Sequence, residues 1–281
     1  MARAYDALVL DIDGTLLDEQ NLIRPRTYQA IGRARAAGVV VMLATGRSSW
    51  GTREVMDQLE LDTPSVVVNG AGVYDRREDR LIHYYTLAEP MVRNLLAYSQ
   101  REELLPVVSS PKGQFARPPV GPETEILADL RSLHLVAPEE LPRSDVTRVT
   151  LFSLKHADSS SLHEDVVRAA GDYPAYYTHF PLAALAHFRA SPAQVVDAQP
   201  DCGGKAEALR VLKTRYGIDA ARVVAVGDAN NDIPILRAAG LGVAMGNATP
   251  EAKAVAHRVI GHNDSDALAE LIEELFLDRA P

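Results

Sequence analysis

The chain has 281 residues, 47% of them hydrophobic, and a net charge of −9. That is core enough for one large or, as preferred here, two medium domains. The acidic balance and the lack of any Lys/Arg cluster exclude a nucleic-acid backbone as main partner. The single Cys202 excludes an internal disulfide, and with no signal peptide or bilayer-length apolar run the expectation is a cytoplasmic protein without a membrane partner.

Ala7 to Leu10 read as a short buried strand broken by Gly14, which places Asp11 and Asp13 just past a strand's carboxyl end. Open α/β sheets bind ligands at that edge. Two carboxylates this close repel each other unless a positive group shares the site, and a hard divalent cation, Mg²⁺ first, meets the requirement. Pro25 can open a helix with Tyr28, Ile31, Ala34 and Ala37 on one face, ended by Gly38. Val39 to Leu43 is the next buried strand. A right-handed crossover then brings Ala44-Thr45-Gly46-Arg47 to the same sheet edge as Asp11. The Thr45 hydroxyl, the N–H groups after it and the start of a helix over about 49–59 suit an oxyanion.

Val66-Val67-Val68 reads as a third buried strand, ending in Asn69-Gly70-Ala71-Gly72, where glycines permit close approach to a ligand. A hairpin over 73–85 and a helix over 89–100 follow, then short strands and loops rich in proline, a strand over 146–154, a helix over 161–170 and more strands to about 189. The expectation is a separate α+β insert over 87–191, with 1–86 and 192–281 forming the core. Doubly wound structure is expected to resume near Val195. Gly203-Gly204-Lys205 opens an amphipathic helix closed by Gly217, so Lys205 lies in a first turn, where a lysine suggests an anionic partner. Val223 to Val226 is another buried strand and ends in Gly227-Asp228-Ala229-Asn230-Asn231-Asp232, a second acidic strand end. Two short strands and a closing helix over 266–276 complete the chain.

Taken together, Asp11-Ile-Asp13-Gly-Thr15, Thr45-Gly46-Arg47, Lys205 and Gly227-Asp228-Ala-Asn-Asn231-Asp232 resemble the four motifs of the haloacid dehalogenase superfamily. The insert between the second and third motifs resembles the large-cap branch and its Cof-type sugar-phosphate phosphatases. The segment around Lys205 departs from the commoner Val-Ser-Lys-Gly pattern. The resemblance implies a Rossmann-like α/β core with a doubly wound parallel sheet and an α+β cap, Mg²⁺ dependence and a phosphoaspartyl intermediate. It makes Asp11 the nucleophile and Asp13 the general acid and base. It has Asp11, the Asp13 backbone carbonyl and Asp228 bind the metal, with Asp232 and Asn231 completing or orienting that shell. Thr45, Gly46 and Lys205 would hold the phosphoryl oxygens. Arg47 and Asn231 are taken as substrate-binding, Arg47 being open to substrate, cap or an acidic neighbour.

Residue chemistry makes these roles sensible. A carboxylate is ionised at neutral pH and needs no base to attack phosphorus, and a second carboxylate can protonate the leaving alkoxide. The expected partner is a small phosphorylated metabolite. A phosphomutase and a silent sugar-phosphate sensor are the alternatives; a dehalogenase is disfavoured because its chemistry does not need Asp13. Within the cap, His179, Phe180, His187 and Arg189 are the residues available to face a substrate, while Tyr176 and Tyr177 read as cap core.

Overall fold

The computed structural model describes residues 3–128, 133–184 and 188–277. The chain divides into two compact units, Met1–His83 with Gly203–Pro281, and Tyr84–Cys202. The first unit contains β1 (Ala7–Leu10), α1 (Pro25–Ala36), β2 (Val40–Leu43), α2 (Ser49–Gln58), β3 (Ser65–Val67), β4 (Gly72–Asp75) and β5 (Arg80–Tyr84). The second holds α3 (Glu89–Arg101), β6 (Leu105–Ser110), β7 (Gly113–Ala116), α4 (Glu123–Ala128), β8 (Leu133–Leu135), β9 (Arg148–Ser153), α5 (Ser159–Ala170), β10 (Ala175–Pro181) and β11 (Gln194–Pro200). The chain returns to the first unit with α6 (Glu207–Tyr216), β12 (Val223–Gly227), α7 (Ile233–Ala238), β13 (Leu241–Ala244), α8 (Pro250–Val255), β14 (Arg258–Val259) and α9 (Ala267–Ile272).

The first unit is built on a parallel sheet of order β14-β13-β12-β1-β2. Strand β1 is buried on both faces, which explains its unbroken apolar run. Leu8 and Leu10 join a core with residues of α1, α2 and α9, whereas Ala7 and Val9 face a core that includes residues of α6 and α7. Because β1 lies between β12 and β2, all three parallel strands end at one edge, and Asp11, Thr45 and Asp228 follow those ends. Two expectations need correction. The third apolar run adds only a single parallel bridge, Ala44 to Val66, and then pairs antiparallel with β4 in a small sheet β3-β4-β5. Lys205 lies in a 3₁₀ turn, Gly204–Ala206, immediately before α6 rather than within that helix.

The second unit is a six-stranded sheet of order β10-β11-β9-β6-β7-β8, antiparallel except between β7 and β8. Helices α3 and α5 cover one face through Met91, Val92, Leu95, Leu162 and Val166. The chain therefore does not return to the parallel sheet at 192: the run at Val195 is β11, antiparallel to both β9 and β10. The hydrophobicity of Val195 and Val196 serves that sheet, and the boundary falls at Cys202. No helix among the described residues is long and apolar enough to cross a membrane.

Candidate active site

The turn after β1 runs through Ile12–Leu16 and closes with the Leu17 N–H donating to the Ile12 carbonyl at 2.9 Å. Gly14 has φ +73°, and a Cβ there would lie 2.4 Å from Asp228 Oδ2, so only glycine lets the two acidic strand ends approach. Asn247 Nδ2 donates to the Gly14 carbonyl at 2.7 Å, and Asn263 Nδ2 to the Leu17 carbonyl at 2.8 Å. The loop is thus braced at its middle and at its exit from the C-terminal part of the unit. Asn247 and Asn263 were not singled out in sequence, where nothing local marks them.

Carboxylate oxygens of Asp11, Asp228 and Asp232 lie within 4.8 Å of one another. Lys205, 1% exposed, reaches into this cluster, with Nζ 2.7 Å from Asp11 Oδ1 and 2.8 Å from Asp232 Oδ1. Thr15 Oγ1 donates to Asp228 Oδ1 at 3.1 Å. Both oxygens of Asp232 are engaged: Oδ1 by Lys205, Oδ2 by the backbone N–H groups of Asp228 and Ala229 at 3.1 and 3.0 Å. Asp232 therefore shapes the loop and fixes the lysine.

Two buried carboxylates, Asp11 and Asp232, and the half-buried Asp228 share the site with one ammonium. Burial raises Asp11 well above the usual carboxylate range, Lys205 pulls it back, and Asp232 and Asp228 push it further up. Asp228 is pushed up to about 6, by burial first and then by Asp232. Burial works against the Lys205 ammonium, but Asp11 and Asp232 prevail and raise its pKa. With the acids ionised, the cluster has two negative charges beyond what Lys205 neutralises. Oxygen donors with that excess fit a divalent cation. The other acidic grouping with metal-binding spacing among the described residues, Glu19, His262 and Asp264, is largely exposed.

Asp13 stands apart from this cluster. Its carboxylate is gripped bidentately by Arg47, Nε to Oδ2 at 2.8 Å and Nη2 to Oδ1 at 2.5 Å. Burial opposes the Arg47 charge, yet Asp13 raises its pKa. Arg47 thus meets an acidic neighbour within the first unit.

Thr45 is fully buried, its N–H bonded to the Val66 carbonyl at 2.9 Å and its Oγ1 accepting from the Arg47 N–H at 3.1 Å. The Asn69 N–H donates to the Thr45 carbonyl at 3.0 Å, and the Asn69 Oδ1 accepts from Asn231 Nδ2 at 2.9 Å. Asn231 accordingly ties the loop after β12 to the loops after β2 and β3. Val68 and Asn69 both have positive φ, +51° and +49°. For a β-branched valine this is a strained conformation, of the kind that gathers at functional sites.

The residues expected to face a substrate in the second unit separate. His179 lies on the helix-covered side, its Nδ1 3.0 Å from Ser159 Oγ and its ring stacked on His163 at 4.7 Å. Phe180 packs against the apolar cluster on the opposite side, and Arg189 is exposed. His187 lies outside the described residues. Tyr177 packs into the helix-side core, but Tyr176, expected there too, is 39% exposed because the next residue of a strand points to the other face.

A family model for haloacid dehalogenase-like hydrolases matches residues 8–272. The chain belongs to this family. A 5-amino-6-(5-phospho-D-ribitylamino)uracil phosphatase of Bacillus subtilis is 29% identical over 279 residues, covering 96% of this chain and 97% of its own. A pyridoxal phosphate phosphatase of Escherichia coli is 28% identical over 277 residues, with 94% and 96% covered. A solved sugar phosphatase of subclass IIB of the superfamily superposes with a TM-score of 0.77 over 96% of this chain and 98% of its own, at 23% identity, a likeness of fold. As in these haloacid dehalogenase-like relatives, a parallel-sheet core is joined by an additional sheet domain.

Proposed function

We propose that the protein is a Mg²⁺-dependent phosphomonoesterase acting on a small phosphorylated metabolite through a phosphoaspartyl intermediate on Asp11. The observation that carries this reading is the placement of a buried carboxylate, Asp11, against a buried lysine beside a second acidic strand end, in a family whose relatives are named as phosphatases. Asp11 Oδ attacks phosphorus, the bond to the ester oxygen breaks, and the departing oxygen takes a proton from Asp13. Water then attacks the same phosphorus and gives its proton to Asp13, and rupture of the acyl phosphate restores the Asp11 carboxylate. Lys205, the Thr45 hydroxyl and the Gly46 N–H stabilise the phosphoryl oxygens, which is most of what such a transfer requires. Asp11, Asp228 and the Asp13 backbone carbonyl would hold the Mg²⁺, whose charge offsets the carboxylates and the phosphoryl group. Asp232 and Asn231 orient this shell, Asp232 because its oxygens are already engaged.

Phosphate release from a panel of phosphorylated metabolites, with Mg²⁺ and with chelator, tests the reading. Metal-dependent release is expected; absence of release from every compound contradicts it.

Asp228 supplies a pH signature. A carboxyl raised from 3.8 to about 6 on folding favours the protonated state, so its contribution to stability is full at low pH and is lost as pH rises through about 6. That loss is about 1–3 kcal/mol in chelator. Bound Mg²⁺ reverses it, so the rise in melting temperature on adding Mg²⁺ is expected to be larger at pH 8 than at pH 5 and to vanish in Asp228→Asn. An equal rise at both pH values, or one retained in the variant, would remove Asp228 from the site.

Arg47→Ala releases Asp13 from its clamp. The expected result is a loss in kcat of about 10–100-fold for alkyl phosphates. The loss should be much smaller for p-nitrophenyl phosphate, whose leaving group needs little protonation. Equal losses for both would show that Arg47 does not act through Asp13.

A further inference from the structure

The tripeptide Val68-Asn69-Gly70 after β3 belongs to none of the four motifs, yet the loops that carry Thr45, Lys205 and Asn231 all meet it within the first unit. The Val68 N–H donates to the Arg47 carbonyl at 2.9 Å and the Asn69 N–H to the Thr45 carbonyl at 3.0 Å. Gly70, at φ +99°, stands where a Cβ would lie 2.2 Å from the Gly204 carbonyl oxygen, so the turn that bears Lys205 packs directly on this backbone. The Asn69 side chain completes the set: its Oδ1 accepts from Asn231 Nδ2 at 2.9 Å, and a Cβ on Gly46 would lie 3.0 Å from the same oxygen. Holding this shape is unfavourable in itself. Val68 and Asn69 lie consecutively in the left-handed region, φ +51° and +49°, which costs a β-branched valine most. A turn that served stability alone would have glycine at 68. Among the described residues Asn69 is the sole hydrogen-bond partner of the Asn231 side chain, whose Oδ1 has none. Without that bond the carboxamide would be free to turn through the broad wells of its terminal torsion.

We propose that Asn69 is a positioning residue, whose carboxamide orients Asn231 so that its remaining Nδ2 hydrogen is presented to a phosphoryl group at the Asp11–Lys205 site. An amide nitrogen has two hydrogens, and Asn69 uses one of those on Asn231. Asn69 acts through Asn231 rather than by contact with the substrate, and the strained backbone at 68 and 69 is retained for that placement. The proposal rests on the phosphomonoesterase reading for the identity of the bound group, not for the contacts that orient Asn231.

Asn69→Gly in the full chain isolates the carboxamide, because glycine adopts the left-handed conformation without steric cost and keeps the N–H that bonds the Thr45 carbonyl. The fold is therefore expected to survive, and Asn69→Ala is the second variant if it does not. In Asn69→Gly, kcat/KM for a hydrolysed phosphate ester falls about 10–100-fold, with a higher KM and a higher inhibition constant for inorganic phosphate. A merely structural asparagine lowers the active fraction, and so kcat, but leaves KM and the inhibition constant alone. In an Asn231→Ala background, adding Asn69→Gly changes kcat/KM by about twofold or less, since the residue through which Asn69 acts is gone. An unchanged KM and inhibition constant in Asn69→Gly, or the full additional loss in the Asn231→Ala background, overturns the proposal. If wild type hydrolyses no ester, the phosphatase reading fails, and the same cycle is read from calorimetric binding of inorganic phosphate with Mg²⁺ present. Binding weakened in Asn69→Gly, with no difference between Asn231→Ala and the double variant, supports the proposal. Additive weakening, unweakened binding in Asn69→Gly, or no binding by wild type overturns it.

Discussion

Asp11→Asn is expected to lower kcat by about 10⁴–10⁶-fold, since removing a nucleophile abolishes the step on which every other group acts. The substitution keeps the size of the side chain and a carbonyl oxygen to accept from Lys205, so the fold should survive. It also removes a carboxylate that burial and the neighbouring Asp232 and Asp228 disfavour. The melting temperature in chelator should therefore be no lower than that of wild type. Substantial residual turnover would exclude Asp11 as nucleophile, and a collapsed fold would make its role structural.

Lys205→Met should be the most damaging single change to stability. It strands Asp11 and Asp232, 6% and 1% exposed at their side chains, without the ammonium that lies 2.7 and 2.8 Å from them. Leaving such charges uncompensated costs about 3–5 kcal/mol. Chemical denaturation at pH 7.5 checks this. Because the stranded groups are carboxylates, lowering the pH should recover part of the loss. Adding Asp232→Asn to Lys205→Met should recover part of it at constant pH, since Asp232 keeps its two backbone donors but no longer carries a charge. Turnover should be lost in both variants, and Lys205→Arg should restore little, because a planar guanidinium does not fill the place of a single ammonium held between two oxygens. Equal stability of Lys205→Met and wild type would show that the pairing contributes nothing.

What sequence made legible follows one physical pattern. Asp11 and Asp228 each end an apolar run too short and continuous to be anything but a buried strand, and each is followed by residues that stop a strand. Parallel crossovers then bring such ends to one edge, so the acidic cluster could be assembled on paper. Lys205 was found by its misfit with the helix dipole, although it occupies the turn before α6. The partners of long side chains were not legible. Arg47 spans from one strand-end loop to Asp13, and Asn231 crosses to Asn69, and both contacts depend on loop conformation rather than on spacing.

Strand partnership was hidden for the same reason. Val66 to Val68 is as apolar as a parallel strand, yet it bonds mainly to the hairpin that follows. Likewise Val195 and Val196 satisfy a parallel core strand locally, and only pairing with β9 and β10 places them in the second unit. That misplacement also hid that Asp197 lies opposite Thr150, which follows only from the antiparallel register.

The central step of the proposed reaction is a covalent bond between Asp11 and phosphorus. A single turnover with a hydrolysed substrate, quenched in acid within milliseconds and reduced with borohydride, converts an aspartyl phosphate to homoserine that peptide mass spectrometry can locate. Homoserine is expected at position 11 in wild type and none in Asp11→Asn. An unmodified Asp11 at a time when phosphate is already appearing, or the modification at another residue, would contradict it.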